Sequence, residues 1–225
     1  MNDIAMARLF DDFVTGAGEL WQGYLHHPWM DAIHDGTLTR RRFAFFLAQD
    51  MPYQRDFLNA LVLAASKAAD PQTLLNMRSF IADEAAFEES LLAELQTSWS
   101  YDRWSAGPAR EGYMNHLIRV AHEEDVSTIC AALLPCAAGF TGAMAERAPK
   151  AGLDPLFVRW LEYYERPSQF EFSNALVDTF ELGLQEASKW RVDHARMIFT
   201  RSVQHQLNAL DAAWRTADLW CGSRE

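Results

Sequence analysis

Aromatic side chains recur at helical spacing between Phe43 and Phe57, in the stretch FAFFLAQDMPYQRDF, and this pattern constrains the fold more than any other. The intervals of three and four residues place five side chains on one face of a helix, namely Phe43, Phe46, Asp50, Tyr53 and Phe57. A carboxylate within such a face needs a partner, because burial of an unpaired charge is costly. We therefore expect Asp50 to be either a salt-bridged core acid or part of a pocket.

Helix signals on both sides of the aromatic stripe set its bounds. Thr39 is a favourable N-cap, and the helical period continues to Lys67. Pro52 has no N–H to donate to the carbonyl of Ala48, so a kink is predicted within this helix. A kink in the same turn as Asp50 favours the pocket interpretation.

The rest of the chain shows the same helical period, with no sustained period-two alternation and no hairpin dipeptide. We therefore predict an all-α, single-domain helical bundle that covers residues 1–225. The helix predicted over residues 71–95 carries Glu88 within its apolar stripe, and Asp125 or Ser127 caps the helix that begins near residue 127. The other predicted helices cover residues 4–25, 28–33, 111–123, 156–164, 167–184 and 186–220.

The segment STICAALLPCAAGFTGAMAERA is rich in alanine and glycine, which allow close approach by another helix or a ligand. Pro135 predicts a second kink beside Cys136, and Phe140 follows one turn later. Cys136 is a candidate nucleophile if it can form a thiolate near a proton acceptor. The alternative is a small buried apolar residue, which is the usual role of a free cysteine.

Gln206 lies on the inward stripe of the last predicted helix, which Phe199, Val203 and Leu210 mark. A buried glutamine must be hydrogen-bonded, either to a neighbouring helix or within a site. The seven histidines lack metal-ligand spacing, and the paired Glu-x-x-His motif of carboxylate iron proteins is absent. We therefore expect neither a metal nor another cofactor.

Charge and cysteine content limit the partners and the compartment. The formal net charge of −11, from 31 acidic and 20 basic residues, repels a phosphate backbone, so we expect no nucleic-acid binding. Three cysteines without paired spacing indicate reduced thiols. No apolar run reaches the ~20 residues of a membrane span, and the first residues lack signal-peptide features. We expect a soluble, cytoplasmic protein that does not bind membranes.

Three segments in order, HHPWMDAIHDGTL, FLAQDMPYQRDF and ALLPC, resemble the TenA/THI-4 family, and the resemblance extends from about Trp21 to Trp220. It implies a haem-oxygenase-like fold and a homo-oligomer, either a tetramer or a dimer. It also implies a thiaminase II-type hydrolase of thiamin salvage. The small-molecule partner would be thiamin or a thiamin-derived aminopyrimidine.

The resemblance also implies roles for individual residues. Cys136 would add to the pyrimidine ring, and Asp50 would hold the ring's amino group and the adjacent nitrogen. We expect these two side chains to face one small hollow, sized for a flat heterocycle. Aromatic residues would form the walls of the substrate pocket: Phe46, Tyr53, Tyr113, Phe140 and Tyr164.

Two positions depart from the family pattern. Phe140 stands where a tyrosine is usual, and Gln206 aligns with the acid/base glutamate of the last helix, which makes it a candidate catalytic residue with reduced chemistry. A register shifted by one residue would place His205 there instead. These departures leave an alternative, a pyrimidine-binding protein without turnover. A transcriptional regulator, a label often given to this family, is disfavoured as a direct DNA binder by the negative charge.

Overall fold

The computed structural model describes residues 8–102, 104–145, 147 and 151–221. Within these residues every regular element is a helix, so the all-α prediction is confirmed. The elements in chain order are α1 (Leu9–Leu25), α2 (Pro28–Asp35), α3 (Arg40–Lys67), α4 (Gln72–Asn76), α5 (Arg78–Leu95), α6 (Pro108–Glu123), α7 (Val126–Leu134), a π-helix (Pro135–Phe140), α8 (Thr141–Ala145), α9 (Pro155–Tyr164), α10 (Pro167–Leu184) and α11 (Lys189–Arg215).

Helix α3 has the bounds that the sequence predicts. The Thr39 side chain accepts a hydrogen bond from the Arg42 backbone N–H at 3.2 Å, and the helix runs through Pro52 to Lys67. All five residues of the predicted stripe are buried. Because α3 packs against α5, α6 and α7, its stripe forms the centre of the core.

Three predicted helices differ from the observed ones. The helix predicted over 71–95 is interrupted at Met77, where i→i+3 bonds from Met77 N to Leu74 O and from Phe80 N to Met77 O replace the α-helical pattern. Helix α6 begins at Pro108 instead of residue 111, because proline fits the first helical turn. Helix α11 is shorter than 186–220: the Ser188 side chain caps its start, and left-handed Thr216 follows its end. Residues 4–7 of the first predicted helix lie outside the described residues.

The irregularity predicted at Pro135 is a π-helical turn, which carries Cys136. Two side chains donate to its carbonyls: Tyr24 Oη to Pro135 O at 3.0 Å, and Ser173 Oγ to Ala137 O at 2.6 Å. Gly139 allows close packing here, since a Cβ at this position would lie 2.6 Å from Cη2 of Trp21. The turn is therefore held in place by its neighbours.

The apolar run around this turn, Val126–Ala145, has the length and composition of a membrane span. However, 78% of its apolar window is buried inside the protein, as in the central helix of a bundle. Its apolar character is explained by contacts with α10 and α11.

Ser173→Ala should lower the free energy of unfolding by about 1–3 kcal/mol, because it leaves the buried Ala137 carbonyl without this donor. Urea denaturation followed by circular dichroism measures the change. Ser90→Ala is the matched control: its exposed hydroxyl donates to Phe87 O at 2.6 Å, and its loss should change stability by no more than about 0.5 kcal/mol. Equal effects of the two substitutions would contradict a stabilising role for Ser173.

Candidate active site

A cavity beneath the π-helix brings together the chemically active groups of four helical elements. Asp50 from α3, Glu84 from α5, Cys136 from the π-helix and Tyr164 from α9 all line it. The prediction that Cys136 and Asp50 face one cavity is confirmed. Of the predicted wall residues, Tyr53, Phe140 and Tyr164 line this cavity.

The cavity is smaller than the predicted hollow for a flat heterocycle. Its volume is ≈30 Å³, room for about one or two water molecules. Aromatic side chains fill the space; the rings of Phe140 and Tyr164, for example, are in edge contact with their centroids 5.3 Å apart. A pyrimidine therefore requires these rings to move apart.

Asp50 is both a salt-bridged acid and a cavity residue, so the two interpretations of its sequence position hold together. Its Oδ1 lies 2.9 Å from Nη1 of Arg110, and its Oδ2 accepts a hydrogen bond from Gln54 Nε2 at 3.3 Å. The guanidinium of Arg110 also lies over the ring of Tyr53, 4.8 Å from the centroid. Burial raises the pKa of Asp50, and the charge of Arg110 opposes this shift.

Arg110 was not predicted as a site residue, because it precedes the predicted helix over 111–123. In the structure Arg110 is 2% exposed and lies in the first turn of α6, three residues before Tyr113. That interval was the available signal, since a cation one turn from a predicted wall residue can reach an acid in the same wall.

Cys136 is a protonated thiol at neutral pH. Burial, and then the negative charge of Asp50, raise the pKa of the Cys136 thiol well above its usual value. A nucleophilic role therefore requires a proton acceptor in the cavity. Cys130 is also buried, and burial raises its pKa to about 12, but it does not line the cavity.

Glu84 is the second cavity carboxyl and was also missed by sequence analysis, which singled out Glu88 one turn later. The hydroxyl of Tyr164 donates to Glu84 Oε1 at 2.5 Å. Burial raises the pKa of Glu84 to about 7, and the hydrogen bond from Tyr164 opposes the shift. Glu88 is fully buried and its oxygens have no hydrogen-bond partner among the described residues. Burial, and then the charge of Asp50, raise the pKa of Glu88 well above its usual value, which favours the protonated form.

Unsatisfied polar atoms at the cavity can serve a ligand. Oε1 of Gln54, which lines the cavity, has no hydrogen-bond partner among the described residues. The hydroxyl of Tyr53 also lines the cavity, where its interaction with the thiol of Cys136 opposes the rise in the pKa of that thiol. Most buried polar groups in proteins are paired, so unpaired ones in a cavity wall indicate places for a polar molecule.

The other predicted site residues lie outside the cavity lining. Tyr113 lies behind Tyr53, with ring centroids 4.8 Å apart, and Phe46 stacks on Phe140 at 5.8 Å. Gln206 is buried in α11, but no described residue of this helix lines the cavity. The alignment shifted by one residue, which uses His205, does not place an acid/base in the cavity either. His205 stacks on Tyr113 at 5.4 Å and faces a separate surface cleft.

The fold and the cavity define an all-α protein with a thiol and carboxyl groups in one buried site. The sequence model of the TENA/THI-4/PQQC family matches residues 16–216. The chain therefore belongs to the TENA/THI-4/PQQC family, and the resemblance identified from its three motifs is confirmed.

Several relatives carry names from thiamin metabolism. An aminopyrimidine aminohydrolase from Halalkalibacterium halodurans is 23% identical over 178 residues, which cover 73% of this chain and 77% of that enzyme. The aminopyrimidine aminohydrolase from Bacillus subtilis is 32% identical over 127 residues, which cover 54% of each chain. A hydroxymethylpyrimidine/phosphomethylpyrimidine kinase from Saccharomyces cerevisiae is 27% identical over 152 residues, 64% of this chain and 28% of the yeast protein. The match thus spans about half of one relative and less than a third of another.

Solved structures share the architecture. A TenA homologue from Pyrococcus horikoshii superposes with a TM-score of 0.81 at 20% identity, covering 94% of this chain and 100% of that one. A Shewanella denitrificans domain described as having a haem-oxygenase-like fold gives a TM-score of 0.63 at 14% identity, with 92% of each chain covered. The predicted haem-oxygenase-like fold is confirmed.

Arg110→Met should lower the free energy of unfolding by about 3–5 kcal/mol, because it leaves the carboxylate of Asp50 buried without its cation. The double variant Arg110→Met/Asp50→Asn should recover part of this loss, and urea denaturation measures both. Arg40→Met is the control: its exposed ion pair with Asp154 should contribute no more than about 1 kcal/mol. A double variant no more stable than the single one would contradict the coupling.

Proposed function

We propose that this protein is a thiaminase II-type hydrolase that acts on thiamin or on a thiamin-derived aminopyrimidine in thiamin salvage. The observation that carries the proposal is the cavity itself, which is lined by the thiol of Cys136, the carboxyl group of Asp50 and the unpaired Oε1 of Gln54. The names of two relatives, both aminopyrimidine aminohydrolases, support the substrate class.

Asp50 would orient the substrate. A carboxylate accepts a hydrogen bond from an exocyclic amino group and, when either partner is protonated, also pairs with the adjacent ring nitrogen. The ion pair with Arg110 and the hydrogen bond from Gln54 fix the side chain of Asp50 for this contact. Tyr53, Phe140 and Tyr164 would supply stacking area and exclude water.

Cys136 would act as the nucleophile. After it loses its proton, the thiolate adds to a ring carbon while a ring nitrogen takes up a proton. The leaving group on the exocyclic carbon then departs, as neutral thiazole from thiamin or, after protonation, as ammonia from an aminomethyl-pyrimidine. Water adds to that carbon and gives up a proton, and departure of the thiolate with loss of the ring-nitrogen proton restores the aromatic ring. The net reaction is hydrolysis. Because it needs a free thiol, we propose that the protein works in a reducing compartment such as the cytoplasm.

The second candidate is a pyrimidine-binding protein without turnover. Two observations favour this alternative: the small volume of the cavity, and the position of Gln206, which is buried but outside the cavity lining. Calorimetry with the hydroxymethyl-pyrimidine product separates the two functions. Tight binding without hydrolysis of thiamin or of any aminomethyl-pyrimidine favours the binding protein. The homo-oligomer stays a prediction, which light scattering of the purified protein can test.

Wild-type protein should hydrolyse thiamin or a 4-amino-5-aminomethyl-pyrimidine, and Cys136→Ala should reduce turnover to about the uncatalysed rate. Product formation followed by chromatography is the measurement. Cys221→Ala, which removes an exposed thiol, is the control and should retain wild-type activity. Absence of turnover with all of these substrates in the wild type would exclude the hydrolase.

A further inference from the structure

We propose that Glu84 carries the proton between Cys136 and the bound pyrimidine, in place of an acid/base from the last helix. This inference rests on the proposed hydrolase function and names a catalytic residue for it. Glu84 belongs to α5, so the proton carrier would come from a different element than the family resemblance implies.

The position of Glu84 is the first support. Its side chain lines the same cavity as Cys136 and Asp50, whereas Gln206 does not. An amide can hydrogen-bond a ring nitrogen, but it cannot release or accept a proton at neutral pH. The hydrogen bond from the hydroxyl of Tyr164 fixes the Glu84 carboxyl at the cavity wall.

The charges around Glu84 separate its role from those of the other two carboxyls. Asp50 is paired with Arg110, and Glu88 lies outside the cavity lining. Glu84 has no ion-pair partner among the described residues, and its pKa of about 7 gives both protonation forms near neutral pH. The titratable groups that act on it or feel its charge come from four elements: Asp50 of α3, Glu88 of α5, Cys136 of the π-helix, and Tyr163 and Tyr164 of α9.

The proton balance of the step is complete. The carboxylate of Glu84 accepts the proton of the Cys136 thiol as sulfur forms its bond to the ring carbon. The carboxylic acid then gives this proton to the ring nitrogen that receives the displaced electron pair. Glu84 returns to the carboxylate form, and water remains the only co-reactant of the hydrolysis.

Glu84→Gln should lower kcat by about 10²–10⁴-fold with a much smaller change in KM, because the isosteric amide keeps the contacts but transfers no proton. In the wild type, activity should fall as the pH drops below about 7, because protonated Glu84 cannot accept the thiol proton; Glu84→Gln should lack this limb. Glu88→Gln is the matched control on the same helix. Glu88 lies outside the cavity lining, and burial favours its protonated form, so its amide variant should keep the wild-type rate and pH profile.

Tyr164→Phe gives a second readout. It removes the hydrogen bond that favours the carboxylate form, so the pKa of Glu84 should rise and the acidic limb of the pH profile should move to higher pH. A limb that stays in place in this variant, or that persists in Glu84→Gln, overturns the proposal.

Proton linkage distinguishes failure of this inference from failure of the proposed function. Calorimetry of hydroxymethyl-pyrimidine binding in two buffers of different ionisation enthalpy should show proton exchange in the wild type and in Glu88→Gln, and none in Glu84→Gln. Binding and turnover that are unchanged in Glu84→Gln overturn the role of Glu84 alone. If the wild type shows neither binding nor turnover, the proposed function is overturned, and this inference with it.

Discussion

The buried ion pair between Asp50 and Arg110 is the interaction on which the site depends. It joins the centre of α3 to the first turn of α6, and it lies where the aromatic stripe of α3 would otherwise be wholly apolar. A buried pair of this kind contributes little net stability, since its desolvation offsets its attraction, but loss of either partner is costly. The pair therefore fixes where a polar ligand can be recognised more than it stabilises the fold.

The π-helical turn is the second constraint, because it sets the position of the thiol. A turn with i→i+5 bonds leaves carbonyls for side chains to satisfy, and such turns are common at functional sites. Tyr24 and Ser173 approach this turn from α1 and α10. The sulfur is therefore positioned by three parts of the bundle, whereas Asp50 and Glu84 approach it from two others.

Local sequence signals predicted the structural features that depend on residues close together in the chain. The stripe from Phe43 to Phe57 and the cap at Thr39 fixed the length of α3, and Pro135 marked the irregular turn beside Cys136. The break at Met77 has no proline or glycine to reveal it. Its position depends on backbone bonds formed in the folded chain.

The site was predictable only in part, because contacts between helices are not encoded in spacing along one helix. The motif resemblance indicated that Asp50 and Cys136 converge. Glu84 lines the cavity from α5, and Arg110 pairs with Asp50 from α6; neither has a local signal strong enough to distinguish it from a surface charge. For Gln206, the apolar stripe of the last helix correctly predicted burial. Burial alone, however, does not show which cavity a side chain faces, and Gln206 does not line this one.

The small volume of the cavity and the raised pKa of Cys136 affect how readily this thiol is oxidised. Peroxide and other oxidants react with a thiolate that they can reach, and they convert it first to a sulfenic acid and then to forms that are not readily reduced. Cys136 is only partly buried beside a space of ≈30 Å³, and its raised pKa favours the protonated thiol, so little thiolate is available to an oxidant while no ligand is bound. Protection of the sulfur therefore comes more from its proton than from exclusion of solvent.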